Sequence, residues 1–354
     1  MNQFKIVFVI IATLIGAGFA SGQEIYFFFY RYGVLGIAGL VLCICLLASI
    51  VYKVFLICLR NNIDNYKDFL ILLFGKFGIL INIIVNLFLL ITFYIMIAGF
   101  GAYFLQEAGI SDYIGCGIIT LLCFLTFMTN TNSVLKINTI LIPTLIFCIL
   151  LISIINFKSL DNNDITKLFN PSTYNTFSCF KSSVLYFSYN SILLVPTLIT
   201  MKKNITNRKT IIVIALLSSY ILLLLSLSIF FMLTKIKTNI SSLDMPIIYV
   251  IRNYYKIFIH IYSFVILSSI YTTAISIGMS FIENICKISK KRASYPQIVL
   301  IMCITGFMFS HFGFTNIIVK LYPFFGYLGL IQVATIFLFF SSSYIPYNNS
   351  HKNN

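Results

Sequence analysis

Apolar stretches of about 18 residues or more recur along this whole chain, and each is long enough to cross a bilayer as a helix. Lipid offers no partner to a bare N–H or C=O, so a spanning segment must satisfy its own backbone. The residue balance agrees: of 354 residues, 60% are hydrophobic and 9% charged, which excludes a soluble globule. The expectation is an all-α integral membrane protein, one polytopic domain over 1–354 without linkers or soluble modules. The nine cysteines lie mostly within apolar runs, with no Cys-x-x-Cys pair and no Cys/His metal spacing, so no metal and no cofactor are expected. Tryptophan is absent, which leaves Tyr and Phe as interfacial anchors. The wealth of Ile, Asn, Lys, Tyr and Phe suits an AT-rich bacterial genome.

Ten spans are expected, at about 4–30, 33–58, 78–106, 112–130, 136–157, 177–201, 209–234, 254–283, 295–312 and 314–342. With the N-terminus inside, the loops after even-numbered spans carry Arg60, Lys67 and Lys76; Lys136; Lys202, Lys203, Arg208 and Lys209; and Lys287, Lys290, Lys291 and Arg292. The opposite loops hold Glu107, Asp112, Asp161, Asp164 and Asp244. Basic residues favour the cytoplasmic side, so both termini are expected in the cytoplasm of a multi-pass bacterial plasma-membrane protein. The net charge of +15 then reflects topology and contact with the anionic lipid bilayer, not nucleic acid. Residues 236–255, mixed in charge and containing Pro246, read as an extracellular loop with a short surface helix. A cleaved signal peptide is the rival reading of the N-terminus. Lys5, an apolar stretch and the triplet Gly18-Phe19-Ala20 imitate one, although the apolar run resumes at once as IYFFFY.

Inside the first span, residues 15–25 read IGAGFASGQEI. Each Gly costs about 1 kcal/mol against Ala in a helix, and a carboxylate at membrane depth costs at least about 2.5 kcal/mol. Gly18 and Gly22 form a G-x-x-x-G pair, which suits close helix packing. However, Gly16, Ala17, Gly18, Ala20, Ser21 and Gly22 surround the helix instead of lining one face, which favours an unwound segment. Unwound backbone is tolerated in a membrane only inside protein or beside a water-filled cavity. Its carbonyls can hold a cation, and the amides of the following half-helix suit an anion. Glu24, just beyond the break, is a candidate proton carrier or else a structural carboxylate bonded to a neighbouring helix end.

Broken helices of this kind mark transporters built from repeats. About 170 residues after Phe19 comes YFSYNSILLVP, 186–196, where Ser188, Tyr189, Asn190 and Ser191 form a polar cluster ahead of Pro196. The spans then group as two five-helix repeats, about 1–157 and 177–342, each opening with a broken helix. An odd number of spans per repeat forces the repeats into opposite orientations. One departure is that no glycine occurs from residue 118 to residue 277, so helix 6 lacks the glycine often found at such a break.

On these residues the chain resembles the LeuT-fold transporters of the amino acid–polyamine–cation superfamily. GAGFASGQEI is similar to the first-helix signature of the YkvI-type bacterial membrane proteins. The resemblance implies that helices 1 and 6 are broken around a central site. Ala17, Gly18, Ser21, Gly22 and Gln23 would meet the substrate, with the amides of Ser21 and Gly22 receiving a carboxylate, and Ser188, Tyr189, Asn190 and Ser191 facing them. Tyr94 matches a substrate-gating position, where a packing role is equally open. The carbonyls of Gly16 and Phe19, with Ser269, Thr272 and Thr273 from SSIYTT, match a sodium site. Those three lie on one helical face, though such hydroxyls often bond back to their own helix. Their spacing tilts the coupling ion toward sodium, with a proton on Glu24 as the alternative.

The expected function is therefore cation-coupled secondary transport of a small solute, an amino acid or related compound, by alternating access. A non-transporting sensor subunit on the same fold, as in spore germinant receptors, is the second reading. No enzyme is expected. GFASG departs from the rhomboid-protease motif at Ala20, none of His260, His311 and His351 is tied to Ser21 by a known spacing, and neither H-E-x-x-H nor G-x-G-D occurs.

Overall fold

A computed structural model describes residues 3–129, 131–159, 166, 168–169, 176–202, 205, 207–288 and 294–342, with 131–142, 287–288 and 341–342 as helical backbone alone. The first span is divided into α1 (Gln3–Leu14), α2 (Ala17–Ser21) and α3 (Gln23–Phe28). The second span is α4 (Val34–Arg60), and a short helix α5 (Tyr66–Phe74) leads to the third, α6 (Gly78–Tyr103). The fourth, fifth, sixth and seventh are α7 (Asp112–Met128), α8 (Thr131–Lys158), α9 (Thr176–Met201) and α10 (Arg208–Leu233). After α11 (Pro246–Tyr254) come the eighth, ninth and tenth, α12 (Ile259–Ile288), α13 (Tyr295–Ser310) and α14 (Phe314–Ser342). Among the described residues six helical stretches are long and apolar enough to cross a membrane, and the shorter apolar helices supply the remaining crossings.

Helix ends sort to two sides in the alternation that the ten spans require. At one side Lys202, closing α9, bonds to Asp64 (2.8 Å) and Asn62 (3.0 Å) in the loop after α4. At the other, Gln106 exchanges hydrogen bonds with the backbone of Met245, and Arg252 pairs with Glu107 at 3.6 Å. Tyr255 donates to Asn156 near the end of α8. Asp161, Asp164, Lys203, Lys290, Lys291, Arg292 and His351 lie outside the described residues.

Two expectations need correction. Helix 6 is not broken: α9 is one helix with Pro196 inside it. The polar cluster itself explains this. Ser188, Asn190 and Ser191 donate to the carbonyls of Val184, Tyr186 and Phe187, so their side chains are satisfied within a wound helix and do not stand in for an unwound one. The short helix within 236–255 is only partly on the surface: Arg252, Asn253 and Tyr254 are exposed, but its apolar face is not. Ile247, Ile248, Val250 and Ile251 of α11 are buried, and the helix packs on α2, α10 and α12.

The sixth span sits between α4 and α14. Close approach to α14 depends on glycine: a Cβ on Gly329 would stand 2.5 Å from the Ser188 carbonyl oxygen. At Gly117 only Phe307 comes near, at 3.8 Å. Gly329→Ala should therefore lower thermal stability of the purified protein by about 1–3 kcal/mol through overpacking. Gly117→Ala should leave it unchanged or slightly raised, as read by thermal unfolding in one detergent.

Candidate functional site

The first span breaks at residues 15–16, where Gly16 is extended (φ −101°, ψ −171°), and again at Gly22. Gly22 adopts φ +88°, a left-handed conformation that favours glycine, and a Cβ there would meet Ile247 of α11 at 2.7 Å. The chain rewinds as α3 with Glu24 in its first turn. Glu24 folds back onto α2. A Cβ on Gly18 would lie 2.4 Å from Glu24 Oε1, so Gly18 is the space the carboxylate occupies. Gly18 and Gly22 therefore do not form a helix-packing stripe.

Glu24 is 3% exposed. Its Oε2 accepts from the hydroxyls of Tyr189 (2.8 Å) and Tyr186 (3.2 Å), one turn apart on α9. Oε1 receives no hydrogen bond among the described residues. Aromatic rings close the rest of the site. Tyr189 stacks on Tyr322 of α14 with centroids 4.5 Å apart, Phe28 packs against Tyr186 and Tyr189, and Phe88 of α6 reaches Tyr189 and Tyr322. From the eighth span, Tyr262 donates to the Ala20 carbonyl at 2.7 Å.

The other anticipated residues are distributed as follows. The Gly22 amide bonds to the Phe19 carbonyl (3.0 Å), the Gln23 amide to Ser21 Oγ (3.3 Å), and Ser21 Oγ donates to the Gly18 carbonyl. Gln23 sends its amide group to the Leu243 carbonyl, tying the break to the segment before α11. Gly16 faces Met96 of α6, and Ala17 packs near Gly99. Tyr94 is not brought to the site. Its hydroxyl bonds to Thr305 of α13 at 2.7 Å, because two residues turn a helix by about 200° from the Met96 direction. Ser269 and Thr272 are buried, and Thr272 donates back to the carbonyls of Ser268 and Ser269. Thr273 is half-buried. Thr272 lies ten residues, about 15 Å, along α12 from Tyr262, the α12 residue bonded to the break. Tyr186, Tyr322 and Tyr262 were not anticipated, although Tyr186 stands one turn from Tyr189 and so shares its face.

No family model matches the chain. It is 25% identical over 333 residues to the Bacillus subtilis (strain 168) membrane protein YkvI, covering 94% of each chain. To YyaD of the same organism it is 27% identical over 344 residues, covering 95% of this chain and 96% of that one. Among solved structures, a manganese transporter from Eremococcus coleocola superposes with a TM-score of 0.60 at 12% identity, over 94% of this chain and 77% of that one. Mhp1, a nucleobase–cation symporter of family 1 in a closed conformation, gives 0.60 at 14%, over 96% and 78%. The fold is that of LeuT-type secondary transporters, all-helical and membrane-spanning.

Hydrogen bonds between transmembrane helices average about 0.6 kcal/mol and reach about 1.7. Tyr189→Phe, which removes the shorter bond to Glu24, should cost toward the upper figure in thermal stability. Tyr186→Phe should cost less, and the two losses should not add in Glu24→Gln, as a mutant-cycle comparison of unfolding would reveal.

Proposed function

We propose that this chain is a proton-coupled secondary transporter of a small solute, an amino acid or related compound, with Glu24 as the proton carrier. One observation carries the reading. The carboxylate of a broken first span lies buried in the bundle and is held by hydroxyls of the sixth, at the junction that must rearrange in alternating access. Proton coupling is favoured over sodium because Glu24 is the buried carboxylate at the break and is held by the Tyr186 and Tyr189 hydroxyls of the sixth span. Gly16, Ala17, Gly18, Phe19, Ser21 and Gly22 shape the site, and Tyr189 faces the solute.

The chain belongs, on this reading, with the YkvI-type proteins of the amino acid–polyamine–cation superfamily. Its repeats, about 1–157 and 177–342, are inverted across a bacterial plasma membrane with both termini cytoplasmic. The shared end of Lys202, Asp64 and Asn62 supports a cytoplasmic assignment of both their loops.

In sodium-free proteoliposomes, an imposed pH gradient should drive flux of labelled amino acids or amines, and Glu24→Gln should abolish the gradient's effect. Flux that requires sodium, survives Glu24→Gln and falls with Thr273→Ala would move the reading to the sodium site. Absence of any flux, with ligand binding retained, would favour the sensor. Impermeant thiol labelling of sealed cells should reach a cysteine at Asn239 and miss one at Asn65, and the reverse pattern would invert the orientation.

A further inference from the structure

We propose that a phosphate binds at the end of the bundle where α4 and α14 finish and α10 begins, and that it is the headgroup phosphate of an anionic phospholipid. The site goes beyond the transport reading and stands whether the chain transports or senses. Lys53 raises the question. It lies two turns, about 10 Å, before Arg60 at the end of α4, so its side chain starts inside a membrane-spanning helix. A cation at that depth is costly unless it reaches the interface or meets a partner.

Among the described residues the Lys53 ammonium meets two rings of α14 and no acceptor. Its Nζ stands 4.4 Å from the Phe337 centroid and 4.1 Å from that of Phe340. Phe340 gathers two further groups: the Arg60 guanidinium lies 5.9 Å from its centroid, and the Tyr52 ring packs at 6.3 Å. Tyr52 in turn accepts a hydrogen bond from Arg208 Nε at 2.8 Å, which leaves the Tyr52 hydroxyl proton for an acceptor. Lys53 and Arg60 share a face of α4, because seven residues turn a helix by about 700°. Asp64 and Asp68, the acidic side chains that follow α4, accept hydrogen bonds from Lys202 and Asn65. An anion is the partner that the Lys53 ammonium and the Tyr52 hydroxyl lack, and Arg60 and Arg208 add charge of the same sign beside them.

The donor set suits phosphate, whose several oxygens can each receive one of these groups: an ammonium, a hydroxyl and a guanidinium fork. The surroundings favour a lipid as its source. Leu338, between Phe337 and Phe340 in the chain, is 69% exposed, and Ile212, Val213 and Leu216 of α10 are exposed as well. A headgroup at Lys53 would lay its acyl chains along such surfaces. A phosphate balanced by choline or ethanolamine would set a second cation against Arg60 and Arg208, so the ligand class is an anionic lipid such as phosphatidylglycerol.

The chain has no tryptophan, so one introduced Trp is an unambiguous reporter. Full-length protein carrying Leu338→Trp is reconstituted in mixed bilayers in which either phosphatidylglycerol or an equal share of phosphatidylcholine has brominated chains that quench the indole. Phosphatidylglycerol should be preferred about fivefold at Leu338→Trp. The two lipids should quench about equally at Leu125→Trp, an exposed position near the end of α7. Adding Lys53→Gln to Leu338→Trp should bring the preference close to parity. Lys53→Arg should keep it, and so should Lys76→Gln, which removes an exposed charge elsewhere. Inorganic phosphate should weaken the preference no more than chloride at equal ionic strength. Equal quenching by the two lipids at Leu338→Trp overturns the site without recourse to any charge variant. A preference as large at Leu125→Trp, or one unchanged by Lys53→Gln, is general surface attraction and overturns it too. Displacement by inorganic phosphate beyond that by chloride overturns the lipid as the source of the phosphate.

Discussion

A carboxylate in the interior of a bilayer-spanning bundle must be neutralised or enclosed by donors, and the architecture of this protein follows from how Glu24 meets that demand. The side chain lies back over α2, which is possible only because position 18 has no Cβ. Its Oε2 is received by Tyr186 and Tyr189 of the sixth span. The first span therefore cannot continue as a straight helix past residue 14 and still deliver the carboxylate to α9. Gly16 and Gly22 supply the two changes of direction.

The surroundings close this junction from both ends. On the side of Met245 and Gln106, α11 sinks into the bundle and Ile247 fills the space beside Gly22, while Gln23 bonds to Leu243. On the opposite side, Lys202 locks the end of α9 to Asp64 and Asn62. Among the described residues, polar contacts hold both ends, joined at one of them by the buried apolar face of α11, and aromatic rings fill the middle. Such a distribution suits a molecule whose ends open in turn as the junction of the first and sixth spans rearranges, in keeping with the transport reading proposed above.

Much of this was legible in the sequence for simple reasons. Long apolar runs define spans because lipid leaves the backbone no alternative, and the span limits differ little from the helices observed. The glycines around Phe19 signalled a break because no single packing face needs so many. Three features were not legible. The polar cluster at 188–191 resembled a second break, but hydroxyls and an amide can be satisfied within a wound helix as readily as at a break, and only the bonding directions of Ser188, Asn190 and Ser191 distinguish the two. The amphipathic helix at 246–254 looked like a surface element because the burial of its apolar face depends on α2, α10 and α12, which are distant in sequence. Tyr186, Tyr322 and Tyr262 were silent because tyrosine is common along the chain, and their convergence is a property of three helices together.

The account turns on Glu24 changing its protonation state while it stays inside the bundle. Infrared difference spectroscopy of the purified protein, stepped between acidic and alkaline pH, measures that most directly. The account predicts a protonated-carboxyl C=O band that disappears on the alkaline step, is absent in Glu24→Gln, and shifts in Tyr189→Phe as the hydrogen bond to Oε2 is lost. A band difference that persists unchanged in Glu24→Gln, or a Glu24 that keeps one protonation state throughout the working pH range, would contradict it.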